Sequence, residues 1–202
     1  LVGIVVDQMR YDYLFRYWDK LGEGGFKRMI KNGYLFKNAN YSYIPTYTAP
    51  GHASIYTGCT PSQHGIVANE WYDESFKVTR YCVSDKRFNS VGVATEEGEM
   101  SPKNMLVTTI GDELKLSNNN HSKVISIALK DRSAILPGGH KADAAYWIDK
   151  QGKWITSSYY MKTLPSWVEE MNKSRPGKFY LGSKWEPIFP LMEYEESFSD
   201  NN

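Results

Sequence analysis

LVGIVVD, residues Leu1 to Asp7, is a short apolar run rich in β-branched side chains that ends in a carboxylate. A run of this kind reads as a buried strand, and the absence of polar alternation makes it a parallel one covered on both faces. Asp7 then stands at the strand's C-terminal end. Helical spacing follows over residues 12–32, with Leu14, Phe15, Trp18, Leu21, Phe26, Met29 and Ile30 on one pattern. GEGG (Gly22 to Gly25) breaks it into two helices, and Gly33 stops the second. A further helix is predicted from Ala49 to near Gly58. Residues 66–83 read as a hairpin turning around Asp73 to Phe76. Ser101 as N-cap, with Pro102 at the first helical position, predicts another helix start. KVISIALKDR reads as the next buried strand, DAAYWID and KWITSS as a second hairpin, and LPSWVEEMN as a short helix. The rest is read as irregular, ending in the acidic EYEESFSDNN. This strand–helix alternation predicts an α/β fold, a mostly parallel sheet with helices on both faces.

With 202 residues the chain has room for one domain or a large piece of a bigger one. A net charge of +1, from 24 basic and 23 acidic residues, argues against a general attraction to nucleic acid or to a membrane surface. No apolar run approaches the roughly 20 residues of a membrane span. No leader is legible at Leu1, and that says nothing of compartment. The two cysteines, Cys59 and Cys82, are compatible with a disulfide or with two small semi-buried thiols.

Three features are chemically suggestive together. Asp7 follows the first strand, Thr48 precedes a helix, and Lys130, Asp131 and Arg132 follow a later strand. Open α/β sheets bind ligands outside the carboxyl ends of their strands, where all three are expected. Taken singly, Asp7 reads as a turn residue, Thr48 as a plain N-cap and the triplet as a solvated charge cluster. Taken together, they offer a hydroxyl that a cation held by Asp7 would activate. They also offer a helix N-terminus suited to phosphate. Lys130 and Arg132 point to the same side of an extended segment, to grip non-bridging oxygens. Walker, dinucleotide-binding and G-x-S-x-G patterns are absent. The four histidines form no metal-ligand spacing, and His52 reads as a packed, hydrogen-bonded residue.

VVDQMRYDYL (Val5 to Leu14), TYTAPGHASIYTG (Thr46 to Gly58), HGIVANEWYD (His64 to Asp73) and ALKDRSAILPGGHKADAAYWID (Ala128 to Asp149) resemble, as an ordered set, the alkaline phosphatase superfamily. The resemblance is to the bacterial phosphate-irrepressible alkaline phosphatases, with nucleotide pyrophosphatases/phosphodiesterases as relatives. It implies Asp7 as a zinc ligand, Thr48 as nucleophile and zinc ligand, and Asn69 as a hydrogen-bond donor to a phosphoryl oxygen. Lys130 and Arg132 become a clamp of the phosphomonoesterase kind. The reaction implied is zinc-dependent hydrolysis of small phosphate monoesters through a covalent phosphothreonine, in a periplasmic or secreted enzyme with two zinc ions. Family members are far longer, and most of their zinc ligands lie downstream of the matched region. The resemblance therefore implies that residues 1–202 are the N-terminal portion of one catalytic domain, with a hairpin insertion near 66–83. Two oxygen donors do not close a zinc site, so this portion is expected to hold one zinc or none and to be inactive alone. Two alternatives stay open: a phosphodiesterase or nucleotide pyrophosphatase of the same superfamily, and a non-catalytic α/β binding module.

Overall fold

The strands separate into two sheets, a two-stranded ribbon and a four-stranded sheet that carries the core. In the computed structural model, which describes residues 1–174 and 180–193, the elements run in order α1 (Tyr13–Arg16), α2 (Gly25–Asn32), α3 (Thr48–Thr57), α4 (Pro61–His64), β1 (Glu70–Asp73), β2 (Val78–Tyr81) and β3 (Ser90–Val91). They continue with α5 (Ile110–Ser117), β4 (Ile125–Ile127), α6 (Asp131–Gly138), β5 (Ala144–Ile148), β6 (Trp154–Ser157) and α7 (Ser166–Ser174). β1 and β2 form the predicted hairpin, antiparallel with Glu70 opposite Tyr81 and Asp73 opposite Val78. The other sheet has the order β3-β6-β5-β4. Only β4 and β5 are parallel; β5–β6 and β3–β6 are antiparallel, so the described sheet is mixed within an α/β fold.

The core lies between β5, β6, α3 and α6. Ala49 and Ala53 of α3 and Ala134, Ile135 and Leu136 of α6 are buried together with Ile66, Val83, Met105, Ala145, Trp147 and Ile155. Small alanines on the facing sides let α3 and α6 approach closely, and α6 in turn lies on β4 and β5. α3 ends where the sequence placed its stop, with Gly58 left-handed at φ 69° and its N–H donating to Ser54 O.

Three expectations are corrected. LVGIVVD is not a buried strand: no strand among the described residues pairs with it, and Leu1, Val2, Ile4 and Val6 are exposed. A strand is defined by its ladder and its covering layers, and here residues 1–6 have neither; their approach to the fold is at α3, where Gly3 meets the Tyr56 ring. Ser101 does not cap a helix. Its buried hydroxyl donates to Asp85 at 2.6 Å, and the helix starts at Ile110. There Thr109 and Asp112 form a capping box, each side chain accepting the other's backbone N–H. Finally, KDR is not extended. Lys130 is the last extended residue, and its carbonyl accepts from Ser133 N and Ala134 N, which begins α6 at Asp131. The acidic tail beyond Glu193 lies outside the described residues.

Candidate active site

Thr48 is the first residue of α3, and the cap position belongs to Tyr47, which has no capping side-chain bond. The Thr48 hydroxyl is thus not spent on its own helix. It donates instead to Asp7 Oδ2 at 3.4 Å, across 41 residues of sequence. The helix N-terminus receives its acceptor from elsewhere: Asn69 Oδ1 takes the Ala49 N–H at 2.9 Å. That bond fixes the amide, leaving the Asn69 Nδ2 group as the donor the helix does not use. Pro50 sits in the first turn, where its missing N–H costs nothing, and the Gly51 N–H starts the helical ladder by donating to Tyr47 O. His52 is buried, and its Nδ1 lies 2.8 Å from Thr48 O, so it is the packed residue the sequence suggested.

The hairpin carries the second half of the site. Asn69 immediately precedes β1, and Cys82, just after β2, donates its N–H to Asn69 O at 2.9 Å. One residue away, the Tyr81 hydroxyl donates to Asp131 Oδ1 at 2.6 Å and accepts from Arg132 Nη1 at 2.9 Å. Asp131 Oδ1 also accepts the Arg132 N–H. Burial, reinforced by the Asp131 charge, pushes the Tyr81 phenol well above its ordinary range, so it stays neutral and keeps its proton for Asp131. Burial opposes the Arg132 charge most strongly, but the Tyr81 hydrogen bond and the neighbouring Asp131 charge together outweigh it and hold the guanidinium pKa above its ordinary value. Arg132 Nε is buried with no hydrogen-bond partner. Arg132 as a whole is half-buried, and a partly desolvated cation with an idle donor suits an anionic oxygen.

The structure therefore joins Asp7 to Thr48, Asn69 to the start of α3, and Arg132 to the base of the hairpin that holds Asn69. Lys130 shares the start of α6 but is exposed and makes no salt bridge among the described residues. Because Arg132 lies inside the helix, the same-side argument for Lys130 and Arg132 does not apply. Sequence reasoning missed Tyr81, since a tyrosine on a short strand carries no signal of its partner 51 residues on. It also missed the capping role of Asn69. Both cysteines are free thiols, Cys82 buried and Cys59 half-buried.

The described residues hold no cluster of three or more His, Cys, Asp or Glu side chains suited to a metal. Asp7 and Thr48 supply two oxygens, so these residues do not by themselves fit a closed zinc site. No helix among them is long and apolar enough to cross a membrane.

The chain is similar to known proteins over its whole length. It is 49% identical over 201 residues to alkaline phosphatase PhoV of Synechococcus elongatus, covering 99% of this chain and 36% of that protein. It is 47% identical over 203 residues to alkaline phosphatase PafA of Elizabethkingia meningoseptica, covering 37% of that protein. The crystal structure of wild-type PafA superposes with a TM-score of 0.94 over 98% of this chain and 38% of that one, at 47% identity. A PafA variant with a threonine, an asparagine, a lysine and an arginine substituted also superposes at 0.94, with 45% identity. The chain thus spans a little over a third of the length of these relatives, with an alkaline phosphatase-like fold. Residues 1–199 match the type I phosphodiesterase / nucleotide pyrophosphatase family, and the chain belongs to that family.

Proposed function

We propose that the protein containing this chain hydrolyses phosphate monoesters, with Thr48 as nucleophile. The observation that carries the reading is the Thr48 hydroxyl, held at the start of α3, uncommitted to capping and directed at Asp7 Oδ2. With its proton turned toward Asp7, the oxygen keeps lone pairs for phosphorus. The bond formed is Thr48 Oγ1 to phosphorus, with the hydroxyl proton released on the Asp7 side; the bond broken is phosphorus to the leaving oxygen, which departs and takes up a proton from water. Water then cleaves the phosphothreonine and restores the hydroxyl. Asn69 Nδ2 and the idle Arg132 donors meet the non-bridging oxygens, where charge builds, and Lys130 adds a second cation. The residue types substituted in the PafA variant are those of Thr48, Asn69, Lys130 and Arg132, which supports assigning the chemistry to them.

Zinc is the proposed cofactor of the whole protein; Asp7 and Thr48 would be two of its ligands, and it would supply Lewis-acid stabilisation of the hydroxyl oxygen and the leaving oxygen. Asp7 and Thr48 fill two positions only, so the proposal places the remaining ligands outside residues 1–202, and no step above is routed through the metal. Export from the cytoplasm belongs to the same proposal, by similarity to bacterial alkaline phosphatases.

The family match favours one second reading, a diesterase or nucleotide pyrophosphatase. Turnover of p-nitrophenyl phosphate and of bis(p-nitrophenyl) phosphate by the full-length protein tests both. Thr48→Ala is expected to lower monoester turnover by about 10³-fold or more, and Lys130→Ala to damage the monoester reaction selectively. Unchanged turnover in Thr48→Ala overturns Thr48 as the nucleophile, and absence of turnover of either ester by the unsubstituted protein overturns the enzymatic reading; a dominant diester activity insensitive to Lys130→Ala selects the diesterase.

A further inference from the structure

We infer that Tyr81 is a positioning residue, fixing the guanidinium of Arg132 for phosphoryl oxygens; this deepens the function proposed above and rests on it. Arg132 has five N–H donors on a flexible stem, and a clamp is effective only when its fork is held before substrate arrives. The Arg132 backbone is fixed by α6, but its side chain needs a second point. Tyr81 supplies it. A phenol has one proton, and that proton goes to Asp131 Oδ1 at 2.6 Å. The phenolic oxygen is then obliged to act as acceptor on its other side, where Arg132 Nη1 lies at 2.9 Å. Asp131 closes the triangle by accepting the Arg132 backbone N–H with the same oxygen. Rotation of the phenol is thus set by the residue adjacent to the arginine it holds.

Two further observations give the arrangement direction. Arg132 Nε is buried and idle, so the anchor engages one end of the guanidinium and leaves donors unspent. Tyr81 is also tied to the other phosphate-facing group. It stands opposite Glu70 at the base of the hairpin, and its neighbour Cys82 is bonded to Asn69. The same short ribbon therefore sets the spacing between Asn69 and Arg132. Asp131 acts here as the stop against which Tyr81 is set.

The test is a double-mutant cycle in the full-length protein with p-nitrophenyl phosphate, together with inhibition by inorganic phosphate. Tyr81→Phe removes only the hydroxyl. It should lower kcat/KM about tenfold and weaken phosphate inhibition by about the same factor, with the thermal midpoint checked in parallel. In the Arg132→Ala background the same change should alter both quantities by less than about twofold. A merely structural tyrosine would reduce the active fraction without moving the phosphate inhibition constant. The proposal is overturned if Tyr81→Phe leaves phosphate inhibition unchanged, or if its loss is undiminished in the Arg132→Ala background. Should Tyr81→Phe fail to fold, Asp131→Ala, which removes the stop, takes its place in the cycle with the same two outcomes. Thr48→Ala separates the layers: full activity there defeats the proposed nucleophile and the site built around it, whereas its loss beside an additive cycle defeats only the role of Tyr81.

Discussion

Asn69 and Ala49 are joined by a single hydrogen bond, side-chain oxygen to backbone N–H at 2.9 Å, that makes one amide both a helix cap and a candidate ligand for phosphate. The two roles use different atoms and separate by substitution. Asn69→Asp keeps an acceptor for the Ala49 N–H and loses the donor. It should retain the thermal midpoint to within a few degrees while phosphatase turnover falls by about 10²-fold. Asn69→Ala loses both, and should in addition cost about 1 kcal/mol of stability in denaturant unfolding. Equal stability of the two variants would deny the capping role.

Burial pushes the fully buried His64 below its ordinary pKa, and its hydrogen bonds say which tautomer it holds. Nδ1 accepts the Ile66 N–H at 3.1 Å, so Nε2 carries the proton and faces Ser54 Oγ at 3.0 Å. Ser54 in turn reaches Tyr43, which donates to Pro50 O. The folded state refuses a proton that the unfolded chain accepts, so stability is full above about pH 6.5 and erodes as pH falls below it. Urea midpoints measured from pH 8 to pH 5 should decline, and His64→Gln should flatten that part of the curve at a lower overall midpoint.

Asp85 is fully buried and accepts from both Arg87 Nε and Nη2, from Ser101 Oγ and from Lys103 Nζ. The Arg87 guanidinium first, helped by Ser101, holds its carboxyl well below the usual carboxylate range, against the opposing pull of burial. The stabilisation this represents is complete above about pH 4 and is lost as pH falls through the depressed value. Asp85→Ala leaves Ser101 and the two cations without their acceptor and should cost about 3 kcal/mol in chemical denaturation at pH 7. A loss below about 1 kcal/mol would show the network to be dispensable.

Residues 1–202 taken alone should bind zinc poorly, because Asp7 and Thr48 are two donors where about four are needed. Calorimetric titration with zinc at micromolar protein is expected to show no stoichiometric site, and p-nitrophenyl phosphate to remain unhydrolysed. Tight binding or turnover by these residues would require a ligand set other than the one proposed.

Much of the fold was legible because its signals are local. Gly58 stops α3, the Gly152 turn separates β5 from β6, and the turn read around Asp73 to Phe76 falls between β1 and β2, where residues 74–77 connect the strands; each follows from the φ freedom or turn chemistry of a few residues. The misreadings concern partners. LVGIVVD has strand composition, but composition does not supply a neighbouring strand. Ser101-Pro102 is a valid helix start until buried Asp85 claims the serine. Candidate residues followed the same division. Asp7, Thr48, Asn69 and Arg132 were named from pattern and resemblance, while the bonds that link them pass through Tyr81 and the Ala49 N–H, which no periodicity marks.

The hairpin has a further consequence. Its base is bolted to two helix starts through Asn69 and Tyr81, whereas its tip is closed by its own atoms: Asp73 Oδ1 accepts from Ser75 N and Phe76 N, and Arg80 pairs with Asp73 beneath the Phe76 ring. Base and tip of one ribbon are thereby separately secured. A directed-evolution library confined to residues 74–77 varies the tip while leaving the Asn69 and Tyr81 hydrogen bonds at the base in place.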